Sequence, residues 1–187
     1  MADAAQTPLL RMRGISKAFP GVQALSKVDL TLFAGEVLAL LGENGAGKST
    51  TMMILTTLLK PSSGRVLVGG YDIMSDAKKV REKIGYVQQE ISVDEFLTGR
   101  ENLYLHARIN QIPSNLIKSR IDDVLELVEL GEKQDHATLT YSGGMRKRLD
   151  IANGLLSRPS VLFLDEPTVG LDIQTRRKIW GYIKQIR

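Results

Sequence analysis

The sequence predicts an α/β fold in which a mixed or parallel sheet is flanked by helices. Two short apolar runs, residues 37–41 and 161–164, have the length and composition of buried strands, and polar residues follow each of them. Between the two runs, apolar residues recur at helical spacing from 97 to 130. In sheets of this class, ligands bind beyond the carboxyl ends of the strands.

The first residues predict a smaller antiparallel β part. Residues 9–13 alternate apolar and basic side chains, and Val28, Leu30 and Leu32 alternate in a second segment, with a turn at 18–21. Short strands are also expected at 65–68 and 84–87, and a helix at 75–83.

The middle of the chain predicts helices only. One is expected over 97–109, and a second is expected to be capped by Ser114 and ended by Gly131. Ser142 is the expected cap of a third. We therefore expect a single domain over 1–187, with an inserted α-helical subdomain at about 90–157.

A glycine-rich stretch fits the phosphate-binding pattern G-x-x-x-x-G-K-[ST], and the apolar run 37–41 precedes it. Glycines let the backbone wrap around an anion, and the helix that follows directs free N–H groups at it. A glycine-rich turn without a ligand is the alternative, which the strand, loop and helix context disfavours. The pattern predicts a phosphate-loop NTPase core whose nucleotide-binding residues are Gly42, Glu43, Asn44, Gly45, Ala46, Gly47, Lys48, Ser49 and Thr50, with the Ser49 hydroxyl also a ligand of Mg²⁺.

Two adjacent acids, Asp165 and Glu166, follow the apolar run 161–164. Carboxylates at the end of a buried strand are costly unless they meet a cation. A strand that simply ends in solvated acids is the alternative, but the phosphate loop already implies Mg²⁺. We expect Asp165 to hold hydrated Mg²⁺, and Glu166 to face the γ-phosphate and polarise a water molecule.

Composition excludes several classes of function. The chain of 187 residues is 43% hydrophobic and 25% charged, which is typical of a globular protein, and it lacks cysteine. A net charge of +4 is too small to indicate nucleic-acid binding. No signal peptide and no apolar stretch of about 20 residues is present, which predicts a cytoplasmic protein unless a partner brings it to a membrane.

The segment Tyr141, Ser142, Gly143, Gly144, Met145 stands shortly before the strand with the two acids. Alone, Ser-Gly-Gly is equally typical of an ordinary helix cap. Together with the phosphate loop, it resembles the signature of the ATP-binding subunits of ABC (ATP-binding cassette) transporters. That resemblance implies ATP as the nucleotide and a head-to-tail pair of subunits, in which Ser142, Gly143 and Gly144 close over the partner's phosphate loop.

Further residues match the same family. Phe19, which on its own suggests core packing, falls where the family stacks an aromatic ring on adenine. Gln89 resembles the glutamine that senses Mg²⁺ and water and couples to the membrane partner, so it is a candidate catalytic and metal-binding residue. Gln88 occupies a position where many relatives have proline. Gly170, Leu171 and Asp172 resemble the loop that crosses the subunit interface in this family.

The motifs YSGGM and EPTVGLD resemble those of the ABC-2 type exporters of drugs, antibiotics and polysaccharides. This resemblance implies an ATPase that drives export of an unknown substrate. Its partners would be a second ATP-binding subunit and a separate membrane permease at the cytoplasmic face of the cell membrane. No direct contact with nucleic acid is expected.

One departure from the family concerns the end of the chain. The family has a histidine on a strand beyond the helix that starts near Asp172, and neither His106 nor His136 replaces it. We therefore expect a fragment or truncated product with uncovered apolar surface. Two alternatives stay open: a cassette that binds ATP without hydrolysing it, and an ABC ATPase of DNA repair or translation.

Overall fold

The computed structural model describes residues 7–43, 45–169 and 171–185. The chain divides into two compact units, and the boundary in the sequence lies between Ile84 and Gly85. None of the helices in the described ranges combines the length and the apolarity that a bilayer span requires.

The first unit is built on an antiparallel sheet of four strands in the order β2-β1-β3-β4. The central strand β1 pairs with both β2 and β3, and β3 pairs with β4. The predicted antiparallel β part is therefore confirmed. The elements of this unit are β1 (Leu10–Phe19), β2 (Val22–Leu32), α1 (Lys48–Leu55), β3 (Ser63–Val68), β4 (Tyr71–Asp72) and α2 (Ala77–Arg81).

A tight turn joins β1 to β2. Phe19 pairs with Val22, so only Pro20 and Gly21 lie between the strands, and Gly21 has a φ of 78°. Proline followed by a glycine of positive φ is the sequence of a type II turn. Across β1 and β3, Leu10 lies opposite Val68, and these buried side chains belong to the core of the unit.

The prediction of a strand directly before the phosphate loop is wrong. Residues 37–41 form neither helix nor strand, and Val37, Leu38 and Leu41 are exposed, Leu41 at 91%. A strand exists only when its N–H and C=O groups pair with a neighbouring strand. Within the described residues no backbone hydrogen bond pairs this run with any strand, so apolar composition alone does not make it one.

The second unit combines a two-stranded sheet with helices. Its strands are parallel, because the N–H of Asp165, directly after β6, donates to the carbonyl of Val87, the last residue of β5. Its core joins side chains of these helices and strands, including Leu103, Ile121, Leu125, Leu149 and Ile151. The elements are β5 (Ile84–Val87), α3 (Gly99–Ile109), α4 (Ser114–Leu127), two 3₁₀ turns (Gly131–Lys133 and Thr138–Thr140), α5 (Gly143–Leu155), β6 (Val161–Leu164) and α6 (Ile173–Gln185).

Two predicted boundaries of α4 are wrong. Pro113 occupies the capping position, and Ser114 is the first helical residue and makes no side-chain cap. The helix ends at Leu127, before Gly131, because Glu129 takes a left-handed φ of 54°. Glu129 N–H then donates to Glu126 and Leu130 N–H to Leu125, which is the Schellman arrangement that ordinarily uses glycine.

Candidate nucleotide-binding site

The phosphate loop, residues 42–50, lies in the first unit and ends in the start of α1. Gly45 and Gly47 have φ values of 87° and 81°, a conformation that glycine adopts without steric cost. Gly47 is the capping residue of α1, with no side-chain cap and no acidic residue in the first turn. The first N–H groups of α1 therefore lack an anionic neighbour, which suits a phosphate. Asn44 lies outside the described residues.

Gly47 also has no room for a side chain. A Cβ atom there would lie 2.6 Å from Leu25 Cδ2 and 2.8 Å from the Ala24 carbonyl oxygen. Both neighbours belong to β2, so the start of α1 sits directly against the antiparallel sheet of the same unit. The second glycine of the motif is thus required for packing as well as for its dihedral angles.

Lys48 is folded back over its own loop. Its ammonium donates to the carbonyl oxygens of Gly42 and Glu43, the second at 3.1 Å. A bound phosphate would offer this ammonium a charged acceptor in place of neutral carbonyls. Ser49 is exposed and Thr50 is half-buried, so the hydroxyl predicted to bind Mg²⁺ is accessible.

Phe19 stands at the end of β1 and is 43% exposed, so packing in the core is excluded for it. The Lys17 ammonium lies 5.2 Å from the centre of its ring. Cations and planar groups are both attracted to an aromatic face. The exposure of Phe19 is what a residue that stacks on a base requires.

The second unit brings four polar residues to the carboxyl ends of its two strands. Gln88 and Gln89 follow β5, and Asp165 and Glu166 follow β6. The hydrogen bond from Asp165 N–H to the Val87 carbonyl, 2.9 Å long, places these ends side by side. The sequence predicted Gln89, Asp165 and Glu166 separately, and the pairing of the strands puts them at one edge.

Glu166 has a left-handed backbone, with a φ of 46°. This conformation is unfavourable for a residue with a Cβ atom, and such strain concentrates at functional sites. The Glu166 side chain is exposed and that of Asp165 is half-buried. Burial, and secondarily the Asp165 charge, raises the pKa of Tyr86 on β5.

The residues expected to bind Mg²⁺ fit that ion chemically. Ser49, Gln89 and Asp165 offer hydroxyl, amide and carboxylate oxygen, the donor atoms that Mg²⁺ prefers. Among the described residues, no side chain or N–H group donates a hydrogen bond to the Asp165 carboxylate. This carboxylate is therefore open to a hydrated cation.

The predicted cap of α5 is confirmed. Ser142 precedes the helix in an extended conformation, and its Oγ accepts from the N–H of Met145 at 3.2 Å. Gly143 begins the helix and is exposed, with no atom within 4 Å of where its Cβ would lie. The signature therefore forms an open helix start on the second unit.

Tyr141, the residue before Ser142, anchors this helix start in the core. Its buried side chain donates from the hydroxyl to the Lys133 carbonyl at 2.6 Å. Burial, together with the Asp135 charge, raises the pKa of that hydroxyl. A Cβ atom on Gly99 would lie 2.5 Å from the hydroxyl oxygen, so any larger residue at the start of α3 would displace the Tyr141 ring or the helix start.

The interface loop predicted at 170–172 is described only in part, since Gly170 lies outside the described residues. Asp172 Oδ1 accepts from the N–H of Gln174 at 2.9 Å, at the start of α6. Sequence reasoning missed a buried ion pair on α5, Lys147 with Asp150. Their i, i+3 spacing was a signal for it, though one that is common on exposed helix faces.

A family model described as ABC transporter matches residues 25–169, which include the phosphate loop, the signature and both strand-end acids. The chain belongs to the ABC transporter family. Membership agrees with the resemblance noted from the motifs.

Several curated relatives are resistance proteins. The daunorubicin resistance ATP-binding protein DrrA3 of Streptomyces coeruleorubidus is 41% identical over 186 residues, which is 100% of this chain and 58% of that protein. The linearmycin resistance ATP-binding protein LnrL of Bacillus subtilis is 39% identical, over 95% of this chain and 57% of its own length. The chain thus spans about half the length of the curated relatives it matches.

Solved structures agree on the fold. The protein cbiO1 of Clostridium perfringens, described as part of the ABC transporter complex cbiONQ, superposes with a TM-score of 0.88 at 32% identity, covering 97% of this chain and 74% of that one. An ATP-binding cassette protein in a dimeric post-hydrolysis state with ADP and Pi gives 0.81 at 28%, covering 95% and 82%. The predicted α/β fold class with an antiparallel part is therefore confirmed.

Proposed function

We propose that this chain is the ATP-binding and ATP-hydrolysing subunit of an ABC transporter and that it powers export through a separate permease. The observation that carries the proposal is that one chain holds two elements. One is a phosphate loop in which Gly47 has no room for a side chain, and the other is a signature helix capped by Ser142. The relatives named for resistance to daunorubicin and linearmycin support export of a small toxic compound.

Within this proposal, each site residue has a role. The N–H groups of residues 42–50 and the Lys48 ammonium bind the phosphates of ATP, and the exposed Phe19 ring stacks on adenine. Ser49, Asp165 and Gln89 would hold Mg²⁺, which when bound neutralises charge on the phosphates. Glu166 accepts the proton of the attacking water, and its exposed side chain and left-handed backbone support this role.

The proposal includes two protein partners. A second ATP-binding subunit would supply Ser142, Gly143 and Gly144 to this chain's ATP, and receive the same residues in return. The open start of α5 and the dimeric relative support this arrangement. A permease at the cytoplasmic face of the membrane would be the other partner. We also propose that about 90–157 forms the helical subdomain, since α3, α4 and α5 all lie in that range.

The Glu166→Gln variant tests the proposal. Because Gln keeps the shape of the side chain but is not a base, ATP binding should stay within about twofold while the steady-state release of phosphate falls by about 10²–10⁴-fold. Glu132→Gln is the matched control, as Glu132 is an exposed acid on a 3₁₀ turn of the same unit. Undiminished release in Glu166→Gln would remove Glu166 from the role of base.

Three measurements on the unmodified chain separate the alternatives: ATP binding, phosphate release and copurification. Binding of ATP with Mg²⁺-dependent release of phosphate supports the ATPase. Binding without any release would favour a module that binds ATP and does not turn it over. Copurification with nucleic acid rather than with a membrane protein would favour an ABC ATPase outside transport.

A further inference from the structure

The loop of residues 88–92 follows β5 and carries Gln89. It contains neither helix nor strand, and the side chains of Gln89, Glu90 and Ile91 are exposed. Such a loop keeps one conformation only if something outside it holds its backbone. Within the described part of the chain, every hydrogen bond that residues 88–92 make with other residues goes to α5.

Lys147 on α5 supplies the first set of bonds. Its ammonium donates to the Gln88 carbonyl at 2.6 Å, to the Gln89 carbonyl at 3.4 Å and to Asp150 Oδ2 at 3.3 Å. An ammonium has three protons to donate, so this geometry uses all of them. The two carbonyls lie on either side of the Gln89 Cα atom, and holding both sets the direction in which the Gln89 side chain leaves the backbone.

Asp150, one turn further along α5, supplies the second set. Its Oδ1 accepts from the hydroxyl of Ser92 at 2.7 Å and from the N–H of Ser92 at 3.3 Å. The Lys147 and Asp150 side chains are 4% and 2% exposed. A buried ion pair is weak evidence for stability, because desolvation offsets the attraction. This pair directs its remaining hydrogen bonds to both ends of the loop, which defines a conformation.

The position of the pair along α5 gives it a second property. Ser142 caps the helix, and Lys147 and Asp150 follow within the next three turns of the same rigid element. The start of α5 therefore carries the signature, and the middle of the same helix forms the hydrogen bonds to the Gln89 loop. A shift of α5 would move both together.

We propose that Lys147 and Asp150 are positioning residues that set Gln89 for Mg²⁺ and the attacking water and tie its placement to that of the signature helix. This inference rests on the proposed function of the chain. It assigns the two residues no contact with ATP.

The test replaces the pair by apolar residues of similar size, Lys147→Met with Asp150→Leu, because removing both charges avoids leaving one unpaired. The matched control is Arg148→Met. Arg148 is the next cation on α5, and it donates to the Val128 carbonyl at the end of α4. Two quantities are measured on the full chain: hydrogen–deuterium exchange of the peptide containing 88–92, and the ratio of ATP dissociation constants in EDTA and in Mg²⁺.

In the double variant we expect faster exchange at 88–92, unchanged ATP affinity in EDTA, and an affinity gain from Mg²⁺ that is smaller by about tenfold, the usual effect of removing a residue behind a metal ligand. Lys147→Arg should recover part of that gain, and Arg148→Met should behave like the unmodified chain.

Two failures are distinguishable. If the unmodified chain does not bind ATP, the proposed function is wrong and this inference falls with it. If the unmodified chain binds ATP and the double variant gains as much affinity from Mg²⁺ as Arg148→Met does, only the positioning role is overturned. The positioning role is overturned even if exchange at 88–92 is faster, because Lys147 and Asp150 would then stabilise the loop without affecting Mg²⁺ binding.

Discussion

The starts of α1 and α5 are both predicted to bind phosphate, yet they are built differently. At α1 the capping residue is Gly47, left-handed and without a side-chain hydrogen bond. At α5 it is Ser142, extended, with its Oγ accepting from the third helical residue. Neither helix has an acidic residue in its first turn.

This difference separates a helix start that has no side-chain acceptor from one that supplies an acceptor of its own. The start of α1 leaves its first N–H groups without a side-chain acceptor and places Lys48 beside them, so it has most to gain from a highly charged phosphate. The start of α5 satisfies one N–H itself and is anchored by Tyr141. We therefore expect substitutions at the start of α1 to weaken ATP binding, with an added loss of stability where the packing of Gly47 against β2 is broken. Substitutions at the start of α5 should act mainly on the stability of the second unit.

The largest effect is expected for Gly47→Ala. The substitution combines a left-handed backbone with a clash against Leu25 and the Ala24 carbonyl, so we expect about 3 kcal/mol of lost stability and loss of ATP binding. Urea unfolding and calorimetric titration measure the two effects. Gly45→Ala is the control, because its φ of 87° is similar but no atom lies within 4 Å. Equal losses in the two variants would show that packing against β2 is irrelevant.

Lys48→Ala comes next. Its ammonium is the charged donor of the loop, and a hydrogen bond to a charged group contributes about 1.5–3 kcal/mol, so ATP affinity should fall by roughly 10–100-fold with little change in unfolding. Titration calorimetry gives the dissociation constants. Lys60→Ala, at an exposed lysine of the same unit, should bind like the unmodified chain. Unchanged affinity in Lys48→Ala would contradict the assignment of the phosphate loop.

Gly99→Ala should destabilise the second unit without weakening ATP binding. The added Cβ would meet the buried Tyr141 hydroxyl at 2.5 Å, and overpacking of this kind costs about 1–3 kcal/mol. Adding Tyr141→Phe removes the clashing oxygen and should restore part of the loss in thermal unfolding. Gly131→Ala, where no atom lies within 4 Å, should be close to neutral. If the second substitution restores nothing, the loss in Gly99→Ala does not come from a clash with the Tyr141 hydroxyl.

The smallest effect is expected for Ser142→Ala, which removes the cap of α5 and should cost about 1 kcal/mol. Ser142→Gly should cost only a few tenths, because glycine also caps helices well. Thermal unfolding resolves the two values. Thr98→Ala, which removes the capping box of α3, is a reference of the same kind. A loss in Ser142→Ala no larger than in Ser142→Gly would mean that the hydroxyl does not stabilise the helix start.

The motifs and the cap of α5 were predictable because their signals are local, whereas the predicted cap of α4 at Ser114 was wrong. The glycines of the phosphate loop, the serine cap of α5 and the acids after β6 each follow from neighbouring residues. Helix ends were harder to predict. The ends of α1, α3 and α4 use Thr57, Gln111 and Glu129 in the left-handed conformation, where sequence rules expect glycine. At the ends of α3 and α4 this backbone cost is offset by burying the residue that follows, Ile112 and Leu130.

The sequence by itself determined the family and the α/β class, because these depend on short motifs and spacing, and the same motifs predict which residues would meet ATP. Only the tertiary structure decided that residues 37–41 are unpaired, since pairing requires a neighbour that composition does not reveal. Only the tertiary structure likewise decided that α5 forms hydrogen bonds with the Gln89 loop. Lys147 and Gln88 are 59 positions apart, and only folding places an ammonium against that carbonyl.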